Sequence, residues 1–410
     1  MNTHDKIIDF LKNKSQETVI DYIERLDEKD QKVFLNNINI VEIEEIFNSL
    51  KPREVLNITS DNCSPMPPMT IPEINENRDF YFKLGVNSIK NNEVAAVLLA
   101  GGQGSRLGNA ISKGMVDIGI TKQMYILECI FNRLKHNVQL ADGNVKLYIM
   151  TSEDNHIPLL NFLSENNYFG YDRNLVKLFK QSMLPVLDLN HNLIIGNKGL
   201  VKAPNGNGGW VASLYSEGIW EEIISSNIKW INVFSIDNVL QNIADPVFIG
   251  AAISKECVSA GKVVKKISVD ESVGTVCKIN GKPDIIEYYE MPNELKLKMD
   301  DKGIPLYNYG VTLNYLFQVD ALEQFISKKL PLHCAKKKIK YYDVNDNLVF
   351  PDFPNAYKFE TLLIDMIRCM DSFLPFEIER KTEFAPIKNR HGADSIDTAR
   401  ELLRNNGIEL

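Results

Sequence analysis

The densest group of residues able to do chemistry is Leu99-Ala100-Gly101-Gly102-Gln103-Gly104-Ser105-Arg106-Leu107-Gly108, followed by Lys113-Gly114. It comes directly after an uninterrupted apolar run, residues 94–100. Glycines at such a place let backbone N–H groups close on a phosphate, and Arg106 and Lys113 add fixed positive charge. A Walker loop would end in Gly-Lys-Ser/Thr, which is absent. A dinucleotide fingerprint would read GxGxxG, whereas the spacing here is GxGxxxG. A glycine turn serving only tight strand–loop geometry explains the glycines equally well. The arginine and the Lys-Gly step in the same loop favour an anion.

Further residues stand at suggestive places. Asp237 closes a buried-type run, residues 229–237, where a carboxylate can hold a cation or merely cap a turn. Gln181 has an amide that can read a base edge, although a glutamine is ordinarily a surface residue. Asn205-Gly206-Asn207-Gly208-Gly209 is a tight turn by composition. Glu287 and Tyr288 belong to a run that reads as an amphipathic strand, and Lys358 and Lys388 read by themselves as solvated charges. The six histidines are scattered, so no Ser-His-Asp or Cys-His constellation is in view. The six cysteines form no CxxC pair, which points to reduced thiols and against a structural zinc.

The elements that must carry these residues follow from periodicity. Residues 1 to about 60 contain short amphipathic segments, IIDFLKNK, ETVIDYIERL, KVFLNNI and VEIEEIFNSL, each with apolar residues at helical spacing. The Pro-rich stretch at 63–72 reads as a linker. From residue 94 short apolar runs alternate with helical patterns, which predicts an α/β fold with a mostly parallel central sheet and ligands beyond the carboxyl ends of its strands. Asn280-Gly281 between GTVCKI and PDIIEYYE predicts a hairpin. The lysine-rich segment 335–338 reads as a loop, and a helix is expected around residues 358–370. The expected organisation is a helical region and linker at 1–75, a central domain at 76–375 and a short carboxyl-terminal segment at 376–410. A net charge of −8 argues against a nucleic-acid partner. No apolar run has the length of a membrane span and the amino terminus lacks the apolar core of a signal peptide, so a cytoplasmic protein is expected.

Taken together, LLAGGQGSRLG, Lys113-Gly114-Met115-Val116-Asp117-Ile118-Gly119, Lys180-Gln181-Ser182-Met183-Leu184-Pro185, Pro204-Asn205-Gly206-Asn207-Gly208-Gly209, Ile286-Glu287-Tyr288-Tyr289-Glu290 and the segments around Lys358 and Lys388 occur in the order found in eukaryotic-type UDP-sugar pyrophosphorylases. The chain resembles that family, and its N-acetylglucosamine branch above all, over roughly residues 80–400. The resemblance implies a Rossmann-like nucleotide-diphosphosugar transferase domain. It also implies transfer of UMP from UTP to N-acetylglucosamine 1-phosphate, giving UDP-N-acetylglucosamine and pyrophosphate with Mg²⁺ as cofactor, by a monomeric enzyme. By the same resemblance Leu99, Ala100, Gly101, Gly102, Lys113, Gln181, Gly206, Asp237 and Lys358 meet the nucleotide. Asn207, Glu287, Tyr288 and Lys388 meet the sugar phosphate, Asp237 holds the metal, and Arg106, Lys113 and Lys388 are catalytic. Other sugar 1-phosphates (N-acetylgalactosamine, glucose or galactose) and a non-catalytic UDP-sugar-binding protein are the alternative readings. The chain departs from the pattern at Ser112, where the family has proline, and at Val311, where it has an asparagine that contacts the sugar. Relatives are also expected to continue beyond Arg400 into a longer carboxyl-terminal domain.

Overall fold

Six buried residues in a row, Val94–Leu99, form the central strand of a ten-stranded sheet in the computed structural model, which describes residues 3–50, 58–102, 107 and 112–410. Both faces of that strand are covered, which is why its sequence does not alternate. In chain order the ten strands are β1 (Cys63–Pro65), β2 (Val94–Leu99), β3 (Lys146–Thr151), β4 (Val176–Lys180), β5 (Trp230–Ser235), β6 (Ser259–Lys265), β7 (Thr275–Ile279), β8 (Lys282–Ile286), β9 (Tyr309–Gln318) and β10 (Leu374–Glu377). They run β1-β7-β9-β5-β2-β3-β4, with β8 on β7, and with β6 between β9 and β10.

The expectation of a mostly parallel sheet holds on one side only. β5, β2, β3 and β4 are parallel neighbours, and β6 is parallel to β10. The pairings β5–β9, β6–β9, β7–β9, β7–β8 and β1–β7 are antiparallel. The sheet is therefore mixed. The predicted hairpin is present, with Ile279 opposite Lys282 and positive φ at both Asn280 (50°) and Gly281 (79°), as a two-residue loop of this type requires.

By its contacts the chain divides into two compact units. The larger comprises Asn57–Gln181, Trp210–Lys329 and Ile364–Leu410, and carries the ten-stranded sheet. Helix Ile126–Ala141 packs on the sheet through Ile126, Ile130, Phe131 and Leu134, an apolar stripe at helical spacing.

The smaller unit gathers Met1–Leu56, Ser182–Gly209 and Leu330–Leu363. Its helices Thr3–Asn13, Glu17–Arg25, Glu28–Asn36 and Ile40–Ser49 match the amphipathic segments read from sequence. Asp27 and Asn39 cap the third and fourth by accepting backbone N–H bonds. Their apolar faces bury Leu11, Val19, Ile43 and Ile46 together with Leu187, Leu193 and Phe359.

Two local expectations are corrected here. The lysine-rich segment is a strand, His333–Lys337, and Lys358 lies on the strand Ala356–Glu360, with a helix only at Ile364–Ile367. Ala356–Glu360 is bonded to His333–Lys337 on one side and to Leu187–Asp188 on the other. Those partners come from distant stretches of chain, and local periodicity carries no trace of them.

Candidate active site

In the larger unit the glycine loop and Asp237 leave adjacent parallel strands. Ser235 at the end of β5 pairs with Leu99 at the end of β2, and Ile236 N–H donates to the Leu99 carbonyl at 3.3 Å. Beyond the carboxyl ends of neighbouring parallel strands is where such folds present ligands. Ala100 is fixed on both sides: its N–H donates to Met150 O at 2.9 Å, and its carbonyl accepts from Asn155 Nδ2 at 2.9 Å. With both its backbone groups engaged, Ala100 shapes the turn, and the loop's outward character begins at Gly101 and Gly102.

Gly101 and Gln181 are in direct apposition. A Cβ at Gly101 would stand 2.6 Å from Gln181 Nε2, so any side chain there would push this amide from its place. Gln181 is itself held at the end of β4, where its N–H donates to Thr151 O at 2.8 Å. The structure thus brings together two of the sequence-predicted nucleotide contacts.

Lys113 starts a single 3₁₀ turn, Lys113–Met115, and is largely buried. Its Nζ donates to Asp237 Oδ1 at 2.5 Å, with side-chain exposures of 10% for Lys113 and 41% for Asp237. Just before it, Ser112 is buried and its Oγ has no partner among the described residues. Lys388 reaches the same strand end through its backbone neighbour, since Ile387 N–H donates to Asp237 O at 2.8 Å. Its Nζ rests on Asp394 Oδ2 at 3.0 Å. Arg106 lies outside the described residues.

Glu287 and Tyr288 stand elsewhere, just past the end of a strand and not within the amphipathic strand their sequence suggested. They follow β8, which is separated from β5 by β7 and β9 in the strand order. Tyr288 is exposed and meets Tyr289 edge-on, with ring centres 5.2 Å apart. Val311 in β9 donates its N–H to Gly274 O at 2.9 Å, and its apolar side chain cannot make the amide contact for which an asparagine would serve.

In the smaller unit the second glycine turn is stitched to the segment after Lys358. Thr361 N–H donates to Asn205 O at 2.6 Å, Gly208 N–H to Thr361 O at 2.9 Å, and Leu363 N–H to Asn207 Oδ1 at 2.9 Å. Gly206 has φ +87°, and a Cβ there would collide with the Thr361 carbonyl. Gly206, Asn207 and Lys358 therefore share one corner, where Lys358 Nζ rests on Glu360 Oε1 at 2.6 Å.

Each of the three lysines expected to meet phosphate is thus seated on a carboxylate: Lys113 on Asp237, Lys358 on Glu360 and Lys388 on Asp394. Such charge-assisted bonds aim the ammonium groups and are exchangeable for phosphate oxygens. No group of three or more His, Cys, Asp or Glu side chains suited to a metal ion exists among the described residues. Asp237 alone fits a Mg²⁺ ion that draws its remaining ligands from substrate oxygens and water.

Sequence reasoning missed the polar support beneath the site. Lys262, Asp245, Glu383 and Asn238 are all buried or nearly so and all hydrogen-bonded to one another or to the Asp237 segment. A lysine inside the apolar run Gly261-Lys262-Val263-Val264 was the available signal.

The sequence matches the family model for UTP–glucose-1-phosphate uridylyltransferase over residues 45–398. It is 36% identical to UDP-N-acetylhexosamine pyrophosphorylase-like protein 1 of Mus musculus, over 80% of this chain and 68% of that protein. It is 33% identical to UDP-N-acetylglucosamine pyrophosphorylase of Saccharomyces cerevisiae, over 92% of this chain and 84% of that protein. Its structure is similar to that of UDP-N-acetylglucosamine pyrophosphorylase from Trypanosoma brucei, with a TM-score of 0.78 and 25% identity, over 98% of this chain and 84% of the other.

Proposed function

We infer the reaction from one premise: this chain belongs to the UTP–glucose-1-phosphate uridylyltransferase family. Its reaction is transfer of UMP from UTP to N-acetylglucosamine 1-phosphate, releasing pyrophosphate and forming UDP-N-acetylglucosamine. The observation that carries this reading is the pairing of Gly101 with Gln181 and of Lys113 with Asp237 at the carboxyl ends of parallel strands of one sheet. An amide for a base, glycine backbone for phosphates, an ammonium and a carboxylate are the groups uridylyl transfer needs. The names of the relatives in mouse and yeast support the N-acetylhexosamine acceptor.

A phosphate oxygen of the acceptor attacks the α-phosphorus, and pyrophosphate departs in line. The phosphate is already anionic, so no general base is needed. The protein's work is alignment and charge neutralisation. Gln181 and the Gly101 backbone seat the uridine end; Lys113 turns from Asp237 to the triphosphate. Lys388 turns from Asp394 to the acceptor phosphate; Gly206 and Lys358 serve the nucleotide and Asn207 the sugar phosphate. Glu287 and Tyr288 serve the sugar. Asp237 would hold a Mg²⁺ ion, which would supply charge neutralisation on the phosphates. The protein works in the cytoplasm as a monomer.

The test is the reverse reaction. Given UDP-N-acetylglucosamine, pyrophosphate and Mg²⁺, the protein should release UTP. Tight binding of UDP-N-acetylglucosamine with no turnover in either direction would make it a sugar-nucleotide-binding protein instead.

A further inference from the structure

We propose that Lys262 and Glu383 form a buried positioning device that sets the place of Lys388 beside Asp237. The proposal rests on the reading of Lys388 as the acceptor-phosphate lysine and adds residues that never touch substrate.

Lys262 lies on β6 at a break in register with β9: Gly261 pairs with Tyr315 and Val263 with Val311, so Thr312, Leu313 and Asn314 of β9 stand opposite Lys262, with Leu313 at φ +53°. The surplus residues are on β9, so its pairing is interrupted just where Lys262 leaves the sheet. The freed Lys262 carbonyl accepts from Thr312 Oγ1 at 3.0 Å, so the irregularity is satisfied locally. The side chain is fully buried, and its Nζ donates to Asp245 Oδ2 at 2.8 Å, to Glu383 Oε2 at 2.6 Å and to Asn242 O at 3.2 Å. Three donors thus meet three acceptors, the full capacity of an ammonium. The Phe248 ring lies 5.5 Å from it.

Glu383 is where this network grips the segment that bears Lys388. Directly downstream the chain is laid along the Asp237 strand end. Asn238 Nδ2 donates to Glu383 O at 2.7 Å, Ala385 N–H donates to Asn238 Oδ1 at 2.9 Å, and Ile387 N–H donates to Asp237 O at 2.8 Å. Asn238 and Pro386 form a bridge in that run. Lys388 is the next residue. A side chain fixed in the core, a clamped backbone and an acceptor lysine follow one another within six positions of sequence, residues 383–388. A buried cluster of charges of this kind is weak evidence for stability, because desolvation offsets attraction. Its placement directly upstream of a site lysine gives it a use.

The experiment compares Glu383→Leu, Glu383→Gln, Lys388→Ala and the double variant Glu383→Leu/Lys388→Ala, measuring KM for UTP and for N-acetylglucosamine 1-phosphate. Glu383→Leu leaves one cation facing one carboxylate, since Lys262 still meets Asp245. Glu383→Gln keeps an oxygen for Lys262 and the shape of the side chain. Expected are a rise of about tenfold in sugar-phosphate KM for Glu383→Leu, a KM for UTP within about twofold of wild type, and recovery to within about threefold in Glu383→Gln. In the Lys388→Ala background Glu383→Leu should add less than about twofold, because both act through one group. Multiplying effects in the double variant, or equal shifts in both KM values, would overturn the positioning role while leaving the function intact. A Lys388→Ala variant with unchanged kinetics would overturn both the positioning role and the reading of Lys388 on which it rests.

Discussion

Two lysines of the larger unit meet carboxylates in contrasting settings. Lys113 has one partner, Asp237, whose side chain is 41% exposed at the open ends of the parallel strands. Lys262 has two, Asp245 and Glu383, and is wholly enclosed. Burial alone would lower the Lys262 pKa, but its two carboxylates outweigh that and hold it above the usual lysine range. The same chemistry therefore yields a contact that substrate can exchange at one place and a fixed strut at the other. Accessibility decides which, more than residue type.

The sharpest way to break this contrast is to remove each ammonium in turn. Lys113→Met should cut kcat/KM by roughly 10²–10³-fold, as loss of one charge-stabilising donor does, with little change in thermal stability. Lys262→Met strips a buried pair of its cation and should cost about 3–5 kcal/mol of stability. Thermal melts and steady-state rates on both variants would settle the matter; the reverse pattern would dissolve the distinction. Next in size is the Asp237 end: chelation of divalent ions should abolish turnover, added Mg²⁺ should restore it, and Asp237→Asn should weaken that rescue.

A steric prediction is smaller. Gly101→Ala would force its methyl against the Gln181 amide, and should raise the KM for UTP by about tenfold while leaving the sugar-phosphate KM nearly unchanged. An equal effect on both substrates would mean that Gln181 does not serve the nucleotide.

The smallest concerns His156, which bonds to Thr151 Oγ1 near the strand end that holds Gln181. Burial, reinforced by the charge of Lys180, lowers its pKa below the ordinary histidine value. A histidine depressed in the folded state stabilises above its unfolded pKa, and that contribution is lost as pH falls through the lower folded value. Melting temperature should therefore drop by about 1–2 °C more between pH 7 and pH 5 in wild type than in His156→Asn.

The sequence made the parallel half of the sheet legible because buried central strands are short, continuous apolar runs, as at Val94–Leu99 and Trp230–Ser235. The hairpin at Asn280-Gly281 was equally plain, since its loop demands positive φ. The strand bearing Lys358 was not, because its partners lie at His333–Lys337 and Leu187–Asp188. The smaller unit is likewise assembled from three separate stretches of chain, a grouping no local pattern encodes. Gln181 and Asp237 were found through motif resemblance, and their support was not. Lys262, Glu383 and Asn238 carry out their bonding across long sequence separations, so no local pattern shows that they meet.

The central claim is uridylyl transfer to an N-acetylhexosamine 1-phosphate, and the most direct measurement is pyrophosphate release from UTP with N-acetylglucosamine 1-phosphate and with glucose 1-phosphate in parallel. The account predicts Mg²⁺-dependent release with a kcat/KM at least about tenfold higher for the N-acetylated acceptor, a difference of about 1.4 kcal/mol in transition-state binding. Preference for glucose 1-phosphate, or no release with either acceptor, would contradict it.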